Sequence, residues 1–221
     1  MIVTAVERKG RRRVNIYVDG RFALAVGSQL AAERGVHPGR ALTAEQLDAL
    51  AHEEARRQAM ESALRLLSYR QRSERELRDR LRRKGLEADV IDGTLARLRE
   101  LGYVDDEAFA RFWMDARQSA SPRSRRLLAV ELRRRGVAQR TAEAATLDVE
   151  DDEAAYEAAG RRLRTLKTLA YARFREQLGS FLTRRGFSYD VARRTIDRCW
   201  EERGAGRAGE TSAGGRGEPS S

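Results

Sequence analysis

Leu81-Arg82-Arg83-Lys84-Gly85 returns as Leu132-Arg133-Arg134-Arg135-Gly136 and again as Leu182-Thr183-Arg184-Arg185-Gly186, with the glycines 51 and 50 residues apart. Leu77, Leu128 and Leu178 lie one helical turn before the three leucines, and Leu86, Val137 and Phe187 directly follow the glycines. A second element, Asp105-Asp106-Glu107-Ala108, recurs as Asp151-Asp152-Glu153-Ala154 and more weakly as His52-Glu53-Glu54-Ala55. Self-similarity at a period of about 50 residues marks a tandem array of helical units.

Each unit reads as three helices. Acidic residues open the first, where they suit the positive end of the helix dipole. A basic cluster and a glycine close the second, where cations suit the negative end and glycine suits a left-handed C′ position. Ser73 and Glu76 form a capping box for the second helix of the first unit, and Ser121-Pro122 places proline at N1 of its counterpart in the second. Val90, Ile91, Thr94, Leu95 and Leu98 make the apolar stripe of one third helix. Val191, Thr195, Ile196 and Cys199, after a Ser188 cap, make that of another.

Upstream of the repeats, Val14, Ile16 and Val18 alternate with polar neighbours, then Asp19-Gly20 intervenes, then Phe22, Leu24 and Val26 alternate with alanines. Two period-two runs around Asp-Gly predict a β-hairpin with a type I′ turn, and Ile2 to Val6 can add a third strand. Thr43 and Gln46 form a capping box for a supporting helix. Downstream of Trp200 the chain has no large apolar residue to offset its ordering entropy. The expected fold is mainly α: three three-helix repeats (nine helices) at 53–103, 104–148 and 149–202. A small β-hairpin/helix domain at 1–52 precedes them, and a disordered glycine-rich tail at 203–221 follows.

The chain of 221 residues carries 44 Lys+Arg against 34 Asp+Glu, for a net charge of +10. Only Lys9, Lys84 and Lys167 are lysines. Arginine grips phosphate and carboxylate through a bidentate fork, which favours a polyanion or an acidic protein as partner, although arginine codons in a GC-rich genome give the same bias. The excess is uneven: residues 117–145 hold 8 basic and 2 acidic residues, and residues 170–200 hold 7 and 3. Arg123, Arg125 and Arg126 crowd the start of a helix, where cations oppose the dipole, so a bound anion or a compensating carboxylate is expected there.

One cysteine excludes an internal disulfide or a cysteine metal cage, and His37 and His52 lack metal-ligand neighbours. Phosphate-cradling glycine loops and nucleophile elbows are missing from the sequence, and no apolar run reaches membrane-spanning length. The expectation is a non-enzymatic, cytoplasmic, monomeric protein with no cofactor, no metal and no catalytic residues. Phe109, Phe112, Phe174, Phe181 and Phe187 read as core, Trp113 and Tyr69 border basic stretches, and the repeated aspartates read as helix caps.

The run from Ala63-Leu64 through Leu67-Ser68-Tyr69-Arg70-Gln71-Arg72-Ser73-Glu74-Arg75-Glu76-Leu77 resembles the RecX family of bacterial recombination regulators. So do Leu81 to Gly85, Leu98, Leu101 to Ala110 and Trp113 to Arg117, and the hairpin is similar to that family's N-terminal extension. The likeness spans about residues 1–200 in order and repeat architecture. It departs in having arginine where the family commonly has lysine, and in the glycine-rich tail. The resemblance implies binding to RecA filaments on single-stranded DNA, along the filament groove, with inhibition of ATPase and strand exchange. Candidate filament and nucleic-acid contacts are Arg72, Arg75, Arg82, Arg83, Lys84, Arg123, Arg125, Arg126, Arg133, Arg134, Arg135, Arg184 and Arg185. The alternative is a general sequence-independent nucleic-acid-binding helical protein without a recombinase partner.

Overall fold

The structure, a computed structural model, describes the backbone of residues 1–213 and the side chains of residues 1–204. The chain divides into two compact units, Met1–Asp105 and the residues from Asp106 onward.

The first unit begins with an antiparallel sheet in the order β1 (Val3–Lys9), β2 (Arg13–Val18), β3 (Arg21–Gly27). Asp19 and Gly20 both have positive φ, 48° and 77°, as the two-residue type I′ turn requires. The register shifts between Ile16 and Tyr17: Ile16 pairs with Leu24, but Tyr17 pairs with Phe22. This bulge takes Phe22 out of phase with Leu24 and Val26, so it is 58% exposed and meets Tyr17 edge-on with ring centroids 6.0 Å apart. Val3, Val14, Ile16, Val18 and Val26 form a core with Leu30 and Ala31 of α1 (Ser28–Glu33), and with Leu42 and Leu50.

Helix α2 (Ala44–Tyr69) starts at the expected capping box, with both the Thr43 and Gln46 side-chain bonds present. It contains neither glycine nor proline and runs unbroken for 26 residues, so the boundary expected at 52/53 falls inside it. Its N-terminal half buries Leu50 against the sheet and its C-terminal half buries Ala63 in the core of the first repeat, so one helix serves both. Between those halves the buried Glu54 accepts the Gly27 N–H at 2.9 Å and pairs with Arg13 at 3.2 Å, tying β3 to α2. Helices α3 (Glu74–Arg82) and α4 (Ala88–Glu100) complete the repeat.

The second unit holds α5 (Asp106–Ala120), α6 (Arg125–Arg134), α7 (Gln139–Ala145), α8 (Asp151–Leu163), α9 (Tyr171–Arg184) and α10 (Tyr189–Ala213). Helices α2–α4, α5–α7 and α8–α10 are the nine helices expected of three three-helix repeats, and α1, packed on the sheet, is the tenth helix among the described residues. The repeat echo is physical: Leu77 and Leu81, Leu128 and Leu132, and Leu178 and Leu182 are all fully buried. Each such leucine contributes roughly 1.5–3 kcal/mol. Gly85, Gly136 and Gly186 end the second helices with φ of 79°, 93° and 87°, the left-handed C′ conformation that sequence predicted.

Several expectations are corrected. Proline 122 is not at N1; Ser124 is the N-cap of α6 and accepts the Leu127 N–H. The preceding segment stays non-helical because its backbone donors go elsewhere: Arg123 N–H to Gln118 Oε1, and Ser124 N–H to the Arg185 carbonyl. Phe112 is 53% exposed, since the buried side of α5 is Phe109, Ala110 and Met114. Helix α10 continues to Ala213, past the expected start of the tail at 203, because a helix already nucleated by packing extends by one bond per residue. The remaining expected tail, 214–221, lies outside the described residues.

Candidate functional site

In the first unit the end of α3 presents Arg82, Arg83 and Lys84 to solvent, with Arg75 exposed on the same helix. Arg83 Nε donates to the Asp79 carbonyl at 3.1 Å and Lys84 Nζ to Ser62 Oγ at 2.8 Å, contacts that leave both side chains exposed. Arg72 is different. It is only 9% exposed, and its Nε donates to the Leu66 carbonyl in the last turn of α2, where helix carbonyls lack intrahelical partners. Burial, with Arg70 and Arg80 nearby, pulls its pKa below the usual guanidinium range. Arg72 is therefore a helix-end clamp, not an exposed contact.

The second unit sorts its arginines in the same way. Arg126, Arg133, Arg134 and Arg184 are exposed. Arg135 is half-buried with its guanidinium 5.3 Å from the Trp113 ring centroid, and Arg117 lies 5.9 Å from the same ring. Trp113 is thus occupied by its own chain, whereas Tyr69 is 78% exposed. Arg123 pairs with Glu131, which also binds Arg117 at 3.2 Å, so a compensating carboxylate stabilises the crowded start of α6. Arg125 is exposed, but its main-chain N–H donates to Asp151 Oδ1 at 2.7 Å and its guanidinium to the Leu147 carbonyl.

Arg185 joins the second and third repeats. Its Nη1 donates to Ser121 Oγ and, at 3.0 Å, to the Pro122 carbonyl, and its guanidinium lies 4.4 Å from the Phe181 ring centroid. Burial and the neighbouring Arg123, Arg161 and Arg117 lower its pKa. A Cβ on the adjacent Gly186 would lie 2.5 Å from Ser124 Oγ and 2.6 Å from Leu127 Cβ, so α6 packs directly on this backbone.

The aspartates of α8 do not cap it. Its N-cap, Glu150, makes no side-chain cap bond, while Asp151 serves Arg125 and Asp152 pairs with Arg194 at 2.8 and 2.9 Å, which lowers the Asp152 pKa. Both still favour the helix dipole from the first turn. Among the described residues no cluster of three or more His, Cys, Asp or Glu could hold a metal ion. His52 lies 3.6 Å from Asp89, and Cys199 is buried and free.

Sequence reasoning missed two groups. Arg175 and Arg193 line a groove of about 690 Å³ beside Tyr171, Tyr189 and Asp197. The signal was available, since the buried stripe Phe174, Leu178, Leu182 leaves Arg175 off it. Arg161 donates to the Ser119 and Ala120 carbonyls at the end of α5, and Arg203 to the Leu169 carbonyl. Those partners lie more than 30 residues away in sequence, beyond any local pattern.

Fold and site together define a helical-repeat protein that uses some arginines as internal clamps and presents others in a recurring position. No helix among the described residues is long and apolar enough to cross a membrane. Residues 59–98 match the first three-helix domain of RecX, residues 105–145 the second and residues 150–196 the third. The "Regulatory protein RecX" of Streptomyces lividans is 34% identical over 155 residues, covering 66% of this chain and 80% of the relative. That of Clostridium perfringens strain SM101 is 27% identical over 198 residues, covering 87% and 92%. The crystal structure of a regulatory protein RecX shares the fold with a TM-score of 0.64 at 23% identity, over 89% of this chain and 98% of the other. RecX from Lactobacillus salivarius gives 0.59 at 22%, over 66% and 97%. The chain belongs to the RecX family of regulatory proteins.

Proposed function

We propose that this protein regulates recombination by binding RecA filaments on single-stranded DNA and inhibiting their ATPase and strand exchange. The observation that carries the reading is the recurrence of exposed cations at one point in each repeat: Arg82, Arg83 and Lys84 after Leu81, Arg133 and Arg134 after Leu132, and Arg184 after Leu182. A filament repeats its own surface, so contacts that are weak singly sum through high effective concentration. Of the thirteen candidate residues, Arg72, Arg123, Arg135 and Arg185 are withdrawn from this surface by their internal contacts, and Arg125 is partly engaged. Nothing in such a binding mode needs a cofactor, a metal or bond-making chemistry, and it operates in the cytoplasm as a monomer.

The test replaces Arg133, Arg134 and Arg184 with alanine and measures inhibition of RecA-dependent ATPase. Inhibition should weaken at least tenfold while the far-UV spectrum is kept; full inhibition by the folded variant removes these residues from the interface. Co-sedimentation with RecA filaments separates this reading from general nucleic-acid binding, which predicts equal affinity for naked DNA and no effect on filaments.

A further inference from the structure

We infer that the β1–β2 hairpin tip is a second, sequence-independent DNA-backbone site, separate from the helical repeats. Arg8, Lys9, Arg11, Arg12 and Arg13 place five cations in six residues with no acidic residue among them. Lys9 pairs with Arg13 across the hairpin, so only Gly10, Arg11 and Arg12 form the connection. Gly10 has φ of 75° and nothing within 4 Å of where a Cβ would stand, so the turn is tight and open to solvent.

Arg13 is already engaged: its Nη2 donates to the Ala25 carbonyl at 2.7 Å and its Nη1 pairs with Glu54. Arg8, Lys9, Arg11 and Arg12 are exposed, and no carboxylate among the described residues pairs with them. Elsewhere in this chain many exposed arginines find a carboxylate, as Arg57, Arg97, Arg194 and Arg198 do. Arg8 and Lys9 at the end of β1, on alternate faces, and Arg11 and Arg12 in the turn put four exposed cations within five residues, which repel each other until an anion arrives, and that anion must present several negative charges within a short span.

A phosphodiester backbone does so, and guanidinium forks, three of the four groups, match phosphate geometry. A bilayer surface fits less well, because the nearest large apolar residues, Val6 and Val14, are half-buried and buried, leaving no wedge to enter it. The site rests on the nucleic-acid half of the proposed function but needs no recombinase.

The experiment uses the full chain with Arg8, Lys9, Arg11 and Arg12 all changed to serine, and measures anisotropy of a labelled oligonucleotide, single-stranded or duplex, across a salt titration without RecA. Losing four phosphate contacts should flatten the log–log salt dependence by about 2.8 on single strands and about 3.6 on duplex. Between about 50 and about 200 mM salt, the affinity lost by the parent should exceed that lost by the variant by about 50-fold on single strands. The milder pair Arg11→Ser and Arg12→Ser, confined to the turn, should give about half the change in slope. Arg8→Lys, Arg11→Lys and Arg12→Lys should restore the slope by keeping the charge. An unchanged slope in both serine variants overturns the site, as does tighter binding to phosphatidylserine vesicles than to DNA. Because filament inhibition is not the readout, loss of the hairpin site and failure of the filament reading are told apart.

Discussion

Gly186→Ala isolates what tertiary packing adds to a position that sequence presents as one of three equals. Alanine in the left-handed region costs about 1–2 kcal/mol whatever surrounds it. At Gly186 the new methyl also meets Ser124 Oγ and Leu127 Cβ well inside contact distance. Neither is the far end of a flexible side chain, so α6 must shift, an overpacking cost of about 1–3 kcal/mol. The expected destabilisation is about 2–5 kcal/mol. Gly85→Ala has the same backbone penalty but open space around it, so about 1–2 kcal/mol is expected there. Urea unfolding tests the difference, and the two tryptophans, Trp113 and Trp200, both report on the second unit. Far-UV circular dichroism sums the helices of both units, so the first is read from the part of that transition that tryptophan fluorescence lacks. If Gly186→Ala costs no more than Gly85→Ala, the junction between the second and third repeats is not packed as described.

Arg184→Ala and Arg185→Ala make a paired control from adjacent residues. The Arg185 change should cost about 2 kcal/mol through lost charged hydrogen bonds and ring contact, and the Arg184 change less than about 0.5 kcal/mol, both read by thermal or urea unfolding. Glu54→Ala should destabilise the first unit by about 1–3 kcal/mol, since the Gly27 N–H loses its acceptor and Arg13 its partner, whereas Glu54→Gln should recover part of that loss. Burial pushes the Cys199 thiol up to about 11, so native protein should resist a disulfide reagent at pH 8 and react once unfolded in urea. The unfolded thiol releases its proton first, near pH 8.5–9, so this group's contribution to stability falls as pH rises from there through about 11. The alkaline loss of stability should be shallower in Cys199→Ala.

Local patterns carried far in this chain. The leucine pairs, the left-handed glycines, the capping box at Thr43 and the Asp19-Gly20 turn all depend on neighbours within a few residues, and each appears in the structure where it was read. The joining of hairpin domain and first repeat by α2 was also written locally, in 26 residues without a breaker, but the weak Glu53-Glu54 echo obscured it.

The sequence by itself determined the helical repeats, the hairpin and the basic cluster ending each second helix, because helix periodicity, capping and turn chemistry are short-range. The tertiary structure decided which arginines face solvent. Arg134 and Arg135 are adjacent, as are Arg184 and Arg185, and composition cannot separate them; the first of each pair is exposed while the second lies over an aromatic ring. The physical reason is that a guanidinium's partner here is a ring or carbonyl brought close only when helices pack. The same long-range packing made Asp151 and Asp152 serve Arg125 and Arg194 instead of capping their own helix.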